Sequence, residues 1–235
     1  MNPEQLFEQC CSKIDSAYVQ LGHTLGWRFL TGPQSAFVAH PKVALVTLQP
    51  SGSHDYPEHP RRSSEGGSAY IIESWDGLPA GADPLQRQIR MLFVALASRV
   101  GARSGDALLT ESLTAHFVPF RSPTFAALPN KSASLAFSES LWATIFEFIH
   151  PKVVVVLDEK AFKTISRLLE KTLVQSPSID AMPIGWGSYV ARVRDFSNGP
   201  TLCWFPHLSR FQIFGRAASR RPVGEILDVL SKKLQ

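Results

Sequence analysis

Cysteine is scarce in this chain: three residues in 235, two of them adjacent at Cys10 and Cys11 and the third at Cys203. An odd count without paired spacing gives no disulfide framework, and three thiols cannot complete a four-cysteine zinc or iron-sulfur site within one chain. Reduced thiols and a cytoplasmic location are expected, with no metal and no other cofactor. Also missing is any apolar run of membrane-spanning length, and the start, Met-Asn-Pro-Glu-Gln, has neither a basic n-region nor an apolar h-region. No export signal and no membrane anchor are expected. There is no internal repeat and no Gly/Ser-rich or Pro-rich linker, so residues 1–235 are read as one domain.

What is present is an ordinary globular composition, 44% hydrophobic and 19% charged, which is enough to bury a sizeable core. A net charge of +4 and a pI near 9.1 incline the chain toward an anionic partner such as nucleic acid.

Apolar periodicity sets out the elements. Leu6, Phe7, Cys10, Cys11, Ile14 and Tyr18 recur at helical spacing, Gly22–Pro33 reads as loop, and Val43–Leu48 reads as a strand that ends in the polar turn Gln49-Pro50-Ser51-Gly52. Residues 53–83 are rich in Ser, Gly, Pro, His and Arg, too long and polar for a mere connector. Asp83, Pro84 and Gln86 supply an N-cap, a first-turn proline and a capping-box partner for a helix carrying Leu85, Ile89, Leu92, Phe93, Leu96 and Val100.

Leu108–Val118 reads as a second extended segment, ending in Pro119-Phe120-Arg121-Ser122-Pro123. Leu141 to Ile149 marks a helix stopped by Pro151, and Val153–Leu157 is the unbroken apolar run that a parallel sheet needs. Ala161 to Leu169 returns as helix, Tyr189–Phe196 alternates as a strand at the sheet edge, and Pro222 opens a last helix through Leu234. Leu202-Cys203-Trp204-Phe205, between Pro200 and Pro206, fits a strand buried on both faces that delivers His207, Ser209 and Arg210 to the rim. Strands alternating with helices predict an α/β fold, three layers α/β/α around a central, mainly parallel four-stranded sheet.

Four segments in this order, Leu48–Gly52, Phe120–Pro123, His150–Leu157 and Pro206–Arg210, together resemble the uracil-DNA glycosylase superfamily, from about Gly26 to the end of the chain. The resemblance implies a DNA N-glycosylase that flips a nucleotide out of the stack and cleaves its glycosidic bond, leaving an abasic site. Gln49 falls where the family places the Asn or Asp that orients the attacking water. An amide can hold a water but cannot act as a base, and that suffices if the glycosidic bond ionises early. Asp55 is the alternative acid.

His207-Leu208-Ser209-Arg210 resembles the family's His-Pro-Ser motif, in which the histidine donates to the carbonyl of the departing base. By the same likeness Ser209 binds a phosphate, Leu208 or Arg210 fills the vacated stack, and Pro50, Ser51, Gly52, Arg121 and Ser122 contact base or backbone. Where the family carries an Asn that reads the base edge, this chain offers His116 or, if the strand begins earlier, Glu111. Both are acceptors suited to a cytosine amino group. With His54, Tyr56, Arg61, Arg62, Tyr70 and Trp75 nearby in sequence, a hypermodified base is expected, glucosylated hydroxymethylcytosine of phage DNA. The implied partner is double-stranded DNA and the implied state a monomer acting in antiviral defence. Three alternatives stay open: uracil excision in repair, a DNA-binding module without catalysis, and an enzyme acting on free nucleosides.

Overall fold

The structure, a computed structural model, describes residues 1–52, 61–174 and 181–235. Among the described residues the strands are β1 (Val43–Thr47), β2 (Leu113–His116), β3 (Val153–Val156), β4 (Met182–Pro183), β5 (Val190–Asp195) and β6 (Thr201–Trp204). The helices are α1 (Pro3–Gln20), α2 (Ala69–Ile72), α3 (Pro84–Val100), α4 (Gly105–Thr110), α5 (Lys131–Phe148), α6 (Glu159–Glu170) and α7 (Arg220–Leu234). No helix among the described residues is long and apolar enough to cross a membrane.

The sheet is mixed and has six strands in the order β2-β1-β3-β6-β5-β4, not the four expected. Its parallel part does have four strands, β2-β1-β3-β6, each running in register with its neighbours. Beyond β6, β5 pairs antiparallel with β6 and β4 pairs antiparallel with β5. β5 is the strand expected over Tyr189–Phe196, while β4, with only two residues, gave no readable run and lies outside it. Tyr189–Phe196 is accordingly not the edge strand. Pro183 sits on the true edge, where its missing N–H costs no ladder bond.

Strand alternation sends side chains to two cores. Ala44, Val46, Val154, Val156 and Leu202 pack under α1, α5 and α6, while Val43, Leu45, Val153, Val155 and Cys203 pack under α3, α4 and α7. The chain passes from β1 to β2 with α2, α3 and α4 on one face, then moves the other way along the sheet through α5 and α6 on the opposite face. Opposite directions on opposite faces are what right-handed crossovers require. The windings diverge between β1 and β3, which opens a crevice beyond their carboxyl ends.

Residues 108–110, expected to start a strand, instead complete α4, because Ser104 caps the helix on the Ala107 N–H at 3.0 Å and Leu108 and Leu109 turn into the core. The strand proper is only Leu113–His116. The supposed loop Gly22–Pro33 lies partly along the free edge of β2, with Leu30 bridging Ala115 and Trp27 bridging Phe120. The Asp83 cap of α3 forms as expected, with Asp83 Oδ1 accepting from the Leu85 N–H at 2.8 Å and Gln86 Oε1 from the Asp83 N–H at 3.1 Å.

Candidate functional site

All four parallel strands finish on one edge, so the segments following β1, β2, β3 and β6 converge there. After β1, Gln49 is half-buried; its Nε2 donates to the Ser122 carbonyl at 3.2 Å, and its Oε1 is shielded from solvent without a hydrogen-bond partner among the described residues. A buried acceptor left open costs about 1–3 kcal/mol, so Gln49 is poised for a donor. Pro50 is buried, Ser51 is exposed, and Gly52 adopts φ 126°, a backbone angle that suits glycine.

The turn after β2 locks onto this segment. Phe117 N–H donates to the Thr47 carbonyl at 2.7 Å and Ser122 N–H to the Pro50 carbonyl at 3.3 Å, while the buried Arg121 guanidinium bonds the Ser51 carbonyl. Ser122 Oγ donates to the Thr124 carbonyl at 2.8 Å. Arg121 and Ser122 therefore shape the turn that carries Gln49.

His116 ends β2 directly opposite Thr47, and its Nδ1 lies 2.8 Å from Thr47 Oγ1. Burial holds its pKa well below the ordinary imidazole value, and the Arg28 and Arg121 charges push the same way, so it is neutral at pH 7. Its Nε2 makes no hydrogen bond to any described residue. Glu111 is not part of this edge. It is the exposed C-cap of α4, before β2 begins, and it lines a separate cavity of about 370 Å³ with Ser68, Arg103 and Asp106.

Tyr70 is 1% exposed, and burial raises its pKa against the lowering effects of Thr31, Thr47 and Arg28. Its ring belongs to the core, which removes it from any sugar-facing surface. Beside it, Glu73 takes both Arg28 nitrogens at 2.9 and 2.8 Å, Arg61 Nη1 at 2.8 Å and Trp75 Nε1 at 3.0 Å. Arg62 pairs with Glu8 and lies 5.2 Å over the Phe7 ring. Arg61, Arg62, Tyr70 and Trp75 thus pin the polar segment to the body. Asp55, with His54 and Tyr56, lies outside the described residues.

On the β6 side, His207 is exposed at the rim and its Nδ1 is 2.8 Å from Ser209 Oγ. One side of the ring is open to water while the groups packed beneath it displace solvent. That burial lowers the imidazole pKa, with Asp158 and Asp83 opposing it. Leu208, expected as a residue that fills the vacated stack, is fully buried under the α3–α7 face and has no surface to offer, whereas Arg210 is exposed. A Leu beside polar neighbours looks exposed in sequence; the helical turn that carries Phe211 N–H to the His207 carbonyl at 3.0 Å rotates it inward.

Sequence reading missed two members of this edge. Asp158 follows β3 and caps α6, its Oδ1 accepting from Lys160 and Ala161 N–H at 2.8 and 3.0 Å, so it stands between the Gln49 and His207 segments. An acidic residue between an apolar run and a helix was the available signal. Thr47, by contrast, is identified only by the β1–β2 register. Compared with protein-family models and with curated proteins, the chain matches none.

Proposed function

We propose that the protein is a DNA N-glycosylase acting on a modified cytosine, with glucosylated hydroxymethylcytosine of phage DNA as the substrate that fits the reading best. The observation that carries it is the open, shielded Oε1 of Gln49 on the same edge as His207. Their strands, β1 and β6, are two positions apart, roughly 10 Å. That span accommodates a flipped nucleoside between a group that holds water and a group that receives the departing base.

In this reading Gln49 Oε1 accepts from a water and aims its oxygen at the anomeric carbon. As the glycosidic bond lengthens, the sugar becomes oxocarbenium-like and the base takes up the electron pair. His207 is neutral because burial depresses its pKa. With the Ser209 hydroxyl donating to Nδ1, the proton resides on Nε2 and is donated as a hydrogen bond to the base anion. His116 supplies selectivity. With Nδ1–H donating to Thr47 Oγ1, Nε2 presents a lone pair, the acceptor that a cytosine amino group needs. The His, Asp and Tyr of residues 53–60 are left as the hydrogen-bonding groups for a sugar on the 5-position.

A DNA-binding module without catalysis is favoured by one observation, that the water-holding position carries an amide rather than a carboxylate. One experiment separates the readings. Duplexes containing uracil, hydroxymethylcytosine or glucosylated hydroxymethylcytosine are incubated with the protein and assayed for alkali-labile breaks. Breaks in the glucosylated duplex are expected; breaks confined to uracil place the protein in repair, and binding without breaks on any duplex rejects catalysis.

A further inference from the structure

Beyond His207, the chain between β4 and β5 meets the loop after β6. Antiparallel pairing sets Arg192 opposite Trp204, so the start of β5 lies at the carboxyl end of β6 and Tyr189 stands on the same edge as His207. Phe211 is the hub: the Tyr189 ring packs 4.5 Å from it and the Trp186 ring meets it edge-on at 5.9 Å. Arg210 lies over Phe211 at 5.5 Å and Arg216 over Trp186 at 4.4 Å. The strip is held in place, since Gly185 adopts φ 72° and any Cβ there would collide with the backbone of Ala218.

Two features of this strip go unexplained by folding. Tyr189 is 49% exposed, although its other face is packed on Phe211. Among the described residues neither Arg210 nor Arg216 has a carboxylate within ion-pair distance, which they share with Arg87, Arg103, Arg192 and Arg220, but only these two lie over the aromatic rings of this strip. An exposed Tyr189 ring backed by Phe211 and flanked by two guanidinium groups without carboxylate partners is the chemistry of a single-stranded nucleic-acid platform, in which bases stack and phosphates are met by charge.

We propose that Trp186, Tyr189, Phe211, Arg210 and Arg216 form a landing surface for single-stranded DNA running away from the edge that carries His207. A base stacks on Tyr189, and Arg210 and Arg216 contact the flanking phosphates. The choice of DNA as the strand rests on the glycosylase reading; the stacking chemistry does not.

The test is fluorescence anisotropy with a labelled oligothymidylate of about 16 nucleotides, a length suited to such a platform, and with a duplex of equal length. Oligothymidylate contains no base to excise, so its binding reads the strip alone, while failure of the glycosylase reading shows separately as a lack of alkali-labile breaks. Tyr189→Ala and Tyr189→Leu are expected to weaken single-strand binding about tenfold, with Tyr189→Phe close to wild type and duplex affinity little changed. Arg210→Gln and Arg216→Gln should each lower the slope of log affinity against log salt by about 0.7. Wild-type protein that does not bind the oligonucleotide, Tyr189 variants with unchanged Tm that bind it normally, or equal losses on strand and duplex would overturn the proposal.

Discussion

His207 and Gln49 carry different parts of the proposed chemistry, and their variants should separate accordingly. His207 acts on charge that develops only as the bond breaks, so His207→Ala should slow single-turnover excision about 100-fold or more while DNA affinity stays within error. Equal losses in both would place His207 in binding instead. Gln49→Ala should slow excision for want of a positioned water, and Gln49→Asp should retain or raise the rate by supplying a carboxylate. Full activity in Gln49→Ala would transfer the role to Asp55. His116 has a thermodynamic signature of its own. Its folded pKa is depressed, so below the ordinary imidazole value the unfolded chain binds the extra proton and stability falls as pH drops toward the folded value. The Tm of His116→Asn should therefore decline less steeply than wild type between about pH 7 and pH 5, the window just below the unperturbed imidazole value.

At the scale of elements, the junction between α2 and α3 shows how one side chain fixes a segment. Gln86 is fully buried; besides its capping role, its Nε2 donates to the Ala69 carbonyl at 2.9 Å and the Glu73 carbonyl at 2.8 Å. It ties both ends of α2 to the first turn of α3, and α2 is what places Tyr70 and Glu73. Gln86→Ala leaves two buried carbonyls unpaired and removes half of the capping box, an expected cost of about 2–3 kcal/mol. Denaturant unfolding checks this, and a cost no greater than that of a surface cap would mean that water replaces the amide. The Asp83-Pro84-Gln86 signature made the helix legible, but its second use, gripping α2, depends on a four-residue helix with no periodicity long enough to read.

For the whole molecule, Glu73 binds separate stretches of chain together: Arg28 from the β2 edge, Arg61 from the first part of the polar segment, and Trp75 beyond α2. Burial on its own would raise the Glu73 pKa, but the Arg28 bonds and charge, with Trp75 and Arg61, overcome it and hold the carboxyl below its usual range. Glu73→Gln strands a buried guanidinium and should cost about 3 kcal/mol or more. Because the folded pKa is depressed, the wild-type contribution is complete above the ordinary carboxylate value and is lost as pH falls through the folded one. The stability gap between wild type and Glu73→Gln should therefore close on acidification, measured by urea midpoints at a series of pH values. A gap independent of pH would mean that packing, not charge, accounts for it.

The chain's local patterns by themselves determined the α/β class, the four parallel strands and the polar turns at their ends, because buried parallel strands must be apolar throughout and turns must break that run. Those same patterns showed β5 through its alternation but could not reveal β4, α2 and α4, or the Trp27–Leu30 edge segment, whose short lengths leave no periodicity. Above all, local pattern cannot say which way a side chain faces. Leu208 turned inward, Glu111 fell at the far end of β2, and Arg61 and Arg62 were taken up by Glu73 and Glu8. Only the tertiary structure decided these, since strand register and long-range ion pairs join residues far apart in the chain, as Thr47 joins His116 and Arg28 joins Glu73.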